Sequence, residues 1–288
     1  MGYILHILIY FTIFSIAGMS LNLIVGYTGL FSITHASFYG IGAYTTALLL
    51  SKLGVNFFLS VTGGIILTIL VSTLVGMVLS RFNDDYYAIA SLGFNTIIFA
   101  ILLNWQSLTR GGQGVFGVQR ASIFGYRLIS NSSYLVLSLI FFLITYLTCR
   151  FIVRSSFGRV LKTIREDEKA VEVFGYNITY YKLVIFVIGS LMASVAGSLY
   201  ASYIGYVDPS VSGINESIFM FVTIIIGGLG SMRGPLYGSL TLILLPEALR
   251  FLGLPLLVAA KIQELLYGTI LTLLMLYRPQ GLVGEYKP

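Results

Sequence analysis

Apolar runs close to membrane-spanning length recur along nearly the whole of this 288-residue chain, and few folds can accommodate them. They lie at 4–25, 36–50, 57–79, 87–105, 134–152, 183–205, 218–226, 236–251 and 262–276. About 20 apolar residues in a helix cross some 30 Å of hydrocarbon. Within that slab every backbone group must be satisfied by the protein itself, which leaves helices and closed barrels. The runs are continuous rather than alternating, which excludes the barrel. Composition agrees, because 57% of residues are hydrophobic and only 10% charged, too few to cover a soluble domain of this size. The expected fold is therefore an all-α, polytopic integral membrane protein of about nine transmembrane helices, arranged as a single domain over 1–288. The first run has no Lys or Arg before it and no small-residue cleavage site, so it is read as a retained span.

Two glycine-rich interruptions divide this pattern. The first, GYTGLFSITHASFYGIGAY at 26–44, crowds small and hydroxylated residues into an apolar setting; the second, GGLGSMRGP, covers 227–235 and includes Gly227, Gly228, Gly230 and Ser231. They resemble each other, with GLFS ahead of Tyr39-Gly40 and GLGS ahead of Tyr237-Gly238. One reading is a diverged internal duplication with broken or re-entrant helices, the pattern that marks a transport path. The other is chance likeness within a chain of 31 glycines.

One long segment, 155–182, is dense in charge. Phe157, Val160, Leu161, Ile164, Val171 and Phe174 fall on one helical face, and Arg159, Lys162, Arg165, Glu166, Lys169 and Glu172 on the other. Ser155 or Ser156 is suited to cap its start, and Gly175 to end it in the left-handed conformation. This predicts one amphipathic helix of about four turns, roughly 25 Å long. It either lies flat on the membrane surface or is offered to a soluble partner. The six Lys and Arg residues from Arg154 to Lys182 place it in the cytoplasm. Counting spans outward puts Arg81, Arg233, Arg278 and Lys287 on the same side, with Lys52 and the loops 106–133 and 206–216 outside. The net charge of +6 is thus a topology signal rather than a nucleic-acid footprint.

The chemistry that is missing narrows the function. Ionisable groups are nearly absent from the spans, whereas ion-coupled carriers hold carboxylates or His there. Glu247, beside Pro246 and three residues before Arg250, reads as half of a structural pair. No G-x-x-x-x-G-K-[ST] run exists, so this chain has no phosphate-cradling loop of its own and an ATP-driven mechanism must borrow its motor. Cys149 is the single cysteine, which precludes an internal disulfide. His35 sits among Ser32, Thr34 and Ser37 without a nucleophile motif. His35, Ser32, Thr34 and Asn22 are expected to hydrogen-bond backbone freed by the break, which is compatible with their lining a substrate path to which Gly29 and Asn95 also belong. No catalytic and no metal-binding residues are expected.

The stretch LNLIVGYTGLFSITHASFYGIGAYTTALL at 21–49 is similar to the signature of permeases of branched-chain amino acid ABC importers. DDYYAIASLGFNTIIFAILLNWQSLTRGGQGV at 84–115 resembles the LivM type of that family, and IGGLGSMRGPLYGSL at 226–240 continues the likeness. The chain reads TRGGQG where relatives often carry TGG and an Asn-Gly pair, which leaves the role of the outer loop open. The resemblance implies a prokaryotic inner-membrane permease working with a second homologous permease, two cytoplasmic ATPases and an external substrate-binding protein. ATP and Mg would reside in the ATPases, with no cofactor on this chain. The resemblance makes Ile164, Arg165, Glu168, Ala170, Val171, Glu172, Phe174 and Gly175 the ATPase-coupling element, with Ile164, Val171 and Phe174 as its apolar anchors. The same superfamily also serves urea and short amides. A solitary ion-coupled carrier and a non-transporting scaffold are the readings from other classes.

Overall fold

The computed structural model describes residues 2–82, 84–123, 126–250, 256–278 and 280–284. Twelve α-helices follow in order: α1 (Gly2–Thr28), α2 (His35–Lys52), α3 (Phe57–Leu79), α4 (Asp84–Asn104), α5 (Gln106–Thr109), α6 (Asn131–Arg154), α7 (Ser156–Glu166), α8 (Glu168–Val173), α9 (Ile178–Ile204), α10 (Ile214–Gly227), α11 (Gly234–Arg250) and α12 (Leu256–Tyr277). Among the described residues five, namely α1, α3, α4, α6 and α9, are long and apolar enough to cross a bilayer. That is fewer than the nine expected. The two breaks explain part of the difference, because they leave α10 at 14 residues and α11 at 17. The 18 residues of α2 carry hydroxyls, glycines and His35, and these polar groups are buried in protein rather than turned to lipid.

At the centre, α9 packs against α1, α2 and α3. Glycine makes the α2–α9 approach possible: a methyl on Gly197 would lie 1.9 Å from the carbonyl oxygen of Tyr39, and one on Gly42 would lie 2.1 Å from that of Ser194. With the backbones this close, the Ser198 hydroxyl donates to the carbonyls of Gly42 and Ser194. Close approach through small residues is the usual basis of helix association where both helix and lipid are apolar. The main core, including Ile13, Leu21, Tyr39, Phe57, Leu199 and Ile224, fills the space around this seam.

The ends of the bundle follow from its contacts. At one end, the 106–133 segment is joined to the 206–216 loop by β1 (Val115–Phe116) and β4 (Tyr206–Val207), which pair antiparallel as Val115↔Val207 and Phe116↔Tyr206. In the same segment β2 (Ser122–Ile123) and β3 (Tyr126–Arg127) form a second short antiparallel pair. Lys52, at the end of α2, donates to the Leu108 carbonyl at 2.9 Å and so belongs to this end. The sequence puts these loops on one side but gives no sign of the short strands. At the opposite end lie α7, α8 and the second break, which we call the basic end.

The helix over 155–182 is interrupted. Ser155 caps α7 as expected, accepting from the Gly158 amide. Asp167, however, takes an extended conformation and caps a separate α8 by accepting from the Ala170 amide at 3.1 Å. Asp favours that role over continuing a helix. Gly175 has φ +83, the left-handed conformation anticipated for it. Lys287 and the side chain of Arg250, and with it the expected pair to Glu247, lie outside the described residues; Glu247 accepts from the Tyr3 hydroxyl. Pro246 stands inside α11.

The seam predicts that Gly197→Ala lowers stability by about 1–3 kcal/mol through overpacking. Gly93→Ala, where an added methyl meets nothing within 4 Å, should be neutral. Unfolding midpoints of the two detergent-solubilised variants compare them directly, and equal losses would count against close α2–α9 contact.

Candidate functional site

Each break begins where a glycine turns the chain out of helical geometry. Gly29 has φ +73, Gly228 +114 and Gly230 +72. Gly227 was read as part of the second break but is the last residue of α10, so that break runs from 228 to 233. Breaking a helix inside hydrocarbon frees amides and carbonyls that water cannot reach, and each left unpartnered costs about 1–3 kcal/mol. The side chains around both breaks meet that demand.

Asn22 on α1 serves the second break. Its amide nitrogen donates to the Ser231 carbonyl at 2.8 Å, and its oxygen accepts from the Gly230 amide at 3.1 Å. The two backbone partners fix which end of the side chain is which. Ser231 in turn accepts from the Gly234 amide at 2.8 Å, in the manner of a helix cap for α11. The carbonyls of Ile226 and Gly227 at the end of α10 accept from Leu282 and Val283, so the C-terminal segment closes over this break.

The first break is braced similarly. The Ile33 amide donates to Ser91, and the Ala36 amide in the first turn of α2 donates to Ser217 at 3.1 Å. Asn95 accepts from Ser37 at 2.6 Å and donates to the Ser212 carbonyl at 3.3 Å. Ser32 and Thr34 bond each other at 2.8 Å, and His35 Nε2 lies 2.6 Å from the Ser20 hydroxyl. Asn22, Ser32, Thr34, His35 and Asn95 are all at most 2% exposed. Of the expected path residues, Asn22 and Asn95 bond backbone groups, Ser32 and Thr34 bond each other, and His35 bonds Ser20. The side chains that the first break turns outward are Phe31 and, partly, Ile33; Phe31 packs on Phe221 of α10. The sequence reading missed this apolar pair because it looked for polar contacts.

At the basic end, α7 packs against α1, α6 and α9. Leu161 and Ile164 are buried in that contact, as is Val171 on α8. Of the three expected anchors, Ile164 is buried against the chain's own helices, Val171 is buried but borders the groove beside the tip, and Phe174 is exposed. Exposed apolar surface sits instead at the tip, where Val173 and Phe174 are 86% and 80% exposed. Between this tip and α7 runs a groove lined by Arg159, Val160, Thr163, Val171 and Tyr176. Ala170 is half-buried, whereas Glu172 and Gly175 are exposed.

Two polar ties hold this element in place. Arg165 donates to the Gly26 carbonyl near the C-terminus of α1, where helix carbonyls lack partners and a cation is favoured. Its side chain also packs against Gly29, 3.1 Å from where a β-carbon would stand. Glu168 pairs with Lys182 at 2.5 Å, and the lysine is 6% exposed. The α7–α8 element is therefore joined to both the first break and the start of α9. Among the described residues no group of three or more His, Cys, Asp or Glu side chains is placed to hold a metal ion.

A predominantly helical bundle with five helices long and apolar enough to cross a bilayer among its described residues is that of a polytopic membrane protein. Comparison with known proteins is more specific: residues 3–276 match the profile described as branched-chain amino acid transport system, permease component, and the chain belongs to that family. It is 29% identical to the high-affinity branched-chain amino acid transport system permease protein LivM of Escherichia coli, over 96% of this chain and 69% of that protein. It is 24% identical to the probable branched-chain amino acid transport permease protein LivM of Methanocaldococcus jannaschii, over 98% and 93%. Identity to the Salmonella typhimurium permease protein LivH is 26%, over 94% and 91%. No solved structure matches the chain.

Removing Asn22 would leave one amide and one carbonyl unpartnered, so Asn22→Ala should cost about 2–4 kcal/mol. Asn104→Ala removes only an exposed bond to the carbonyl of Ala100 and should cost less than about 0.5 kcal/mol. Denaturant titration of both variants checks the contrast. A second test concerns the buried lysine: Glu168→Ala should destabilise more than Lys182→Met, because it strands a buried cation. The reverse order in the same titration would count against the pair.

Proposed function

We propose that this chain is one of two homologous permeases in an ATP-driven importer of branched-chain aliphatic amino acids. In this reading the basic end faces the cytoplasm, as its Lys and Arg content favours. Two separate ATPases work beneath it, and an external binding protein docks on the loops 106–133 and 206–216. The observation that carries the proposal is the α7–α8 element, which presents an exposed apolar tip and is bonded at its other end to the first helix break. A motor acting on that tip is connected through Arg165 to the backbone where α1 ends.

Transport then proceeds by alternating access. The binding protein releases a zwitterion with an aliphatic side chain at a path between the two permeases. The buried groups Asn22, Ser32, Thr34, His35 and Asn95 hold the broken backbone, and Gly29 allows the Arg165 side chain to pass beneath it. Phe31, Ile33 and Phe221 offer the moving substrate an apolar face, which suits leucine, isoleucine or valine better than urea. Closure of the ATPases shifts Val173 and Phe174; Arg165 carries the displacement to α1, and Glu168 with Lys182 carries it to α9. Glu172, Ala170 and Gly175 flank the tip and set the register of docking. Selection rests mainly with the binding protein, so the path needs no tight site.

Reconstitution with the second permease, the ATPases and the binding protein should give leucine uptake that requires ATP. Phe174→Asp combined with Arg165→Gln should reduce uptake at least tenfold while ATP hydrolysis continues. Undiminished uptake by that variant would contradict the coupling role. Uptake by this chain alone, abolished by collapsing ion gradients, would contradict the importer.

A further inference from the structure

A cavity of about 710 Å³ opens at the basic end between α6, α7 and the second break. Arg150 and Arg154 of α6, Lys162 of α7 and Arg233 of the break line it, and among the described residues no carboxylate does. Tyr27 contributes its ring, with the Lys162 ammonium 5.6 Å from the ring centre. The acidic side chains described in the α7–α8 element are directed elsewhere: Glu168 is paired with Lys182, Asp167 accepts from the Ala170 amide, and Glu166 and Glu172 lie on exposed surface outside the lining. Four cations around one cavity repel one another unless an anion joins them. Guanidinium groups meet phosphate oxygens through paired hydrogen bonds, which makes an arginine-lined cavity a phosphate site before a carboxylate or halide one.

The position of the cavity indicates the source of the phosphate. Arg150 and Arg154 stand one turn apart in the last turns of a helix long and apolar enough to span the bilayer, which sets them at headgroup depth. The same two residues also line a neighbouring groove of about 390 Å³ formed with Leu147, Phe151 and Ser155. From that groove an exposed apolar stripe continues along α6 through Ile144, Ile140 and Val136, at the spacing of one helical face. A basic cavity thus opens onto an apolar track that leads into the hydrocarbon. Phosphate and acyl chains on a single molecule fit that sequence of surfaces, and basic pockets between membrane helices on the cytoplasmic side are suited to anionic headgroups.

We propose that this cavity is a binding site for one anionic phospholipid, its phosphate held by Arg150, Arg154, Lys162 and Arg233 and its chains laid along the outer face of α6. The site is separate from the substrate path and does not depend on which substrate is carried. It abuts Ser231 and Met232 of the second break, so its occupant also braces that segment.

Native mass spectrometry of the purified full chain, titrated with phosphatidylglycerol, phosphatidylcholine or inorganic phosphate, tests the assignment. One phosphatidylglycerol should be retained at a concentration at least tenfold below that needed for phosphatidylcholine, with inorganic phosphate failing to displace it at millimolar concentration. The Arg150→Gln/Arg154→Gln variant should raise the half-saturating concentration at least tenfold. Arg159→Gln/Lys169→Gln, which removes two charges from the same end but outside the cavity, should change it less than twofold. Equal retention of the two lipids, or equal effects of the two double variants, would overturn the site. Displacement by inorganic phosphate would give the cavity to a soluble anion instead. Should the first variant fail to fold, the comparison of the two lipids and phosphate on the unaltered chain still decides.

Discussion

A helix that stops inside a packed apolar bundle leaves amides and carbonyls that only protein can satisfy, and this chain stops two of them in that way. The way it meets that demand organises the rest of the molecule. Asn22 reaches from α1 to the Gly230 amide and the Ser231 carbonyl. Ser91 and Ser217 reach from α4 and α10 to the amides of the first break. Each brace ties together segments far apart in sequence, so the breaks act as junctions at which α1, α2, α4, α10 and α11 are held in register. Some of the polar residues buried in this apolar chain thus serve the places where backbone geometry departs from helix, while others, such as Ser190, Ser194, Ser198 and Ser202 of α9, lie within helices.

The same principle extends to the basic end. Arg165 satisfies a carbonyl at the end of α1, and in doing so links a surface helix to the first break. In a low-dielectric setting such a bond is costly to lose without replacement. Movement of α7 is then expected to carry α1 with it rather than to slide past. The ion pair between Glu168 and the buried Lys182 gives α8 a comparable hold on α9. A mechanical path from the surface to the interior is built from polar groups that the apolar surroundings make hard to separate.

Much of this was legible in the sequence. The apolar runs place the helices to within a few residues: α3 occupies 57–79 as read, and α1, α4, α6 and α9 extend the expected spans by a turn or less at most of their ends. Gly29, Gly228 and Gly230 mark the breaks because no other residue takes their left-handed backbone without strain. Ser155 and Gly175 mark the limits of the charged segment for similar reasons. What the sequence could not give was direction. Helical periodicity shows that Ile164 and Val171 share an apolar face, but not that the chain's own helices already bury Ile164. Likewise, hydroxyls near a glycine break suit both substrate contacts and partners for freed backbone, and only the structure shows which amides Ser91, Ser217 and Asn22 meet. The interruption at Asp167 was marked by a good capping residue, but the helical pattern around it masked that signal. The short β1–β4 pairing joins loops more than 80 residues apart, beyond the reach of local patterning.

The proposed coupling role rests on the exposed tip at the end of α8 and on the bond from Arg165 to the end of α1. Cys149 is buried, so a Phe174→Cys variant would carry one accessible thiol. Labelling that thiol with a membrane-impermeant maleimide in inverted vesicles, with and without co-expressed ATPase subunits, probes the claim most directly. The account predicts rapid labelling of the chain alone and protection when the ATPases are present. Labelling only from the exterior, or labelling that the ATPases leave unchanged, would contradict it.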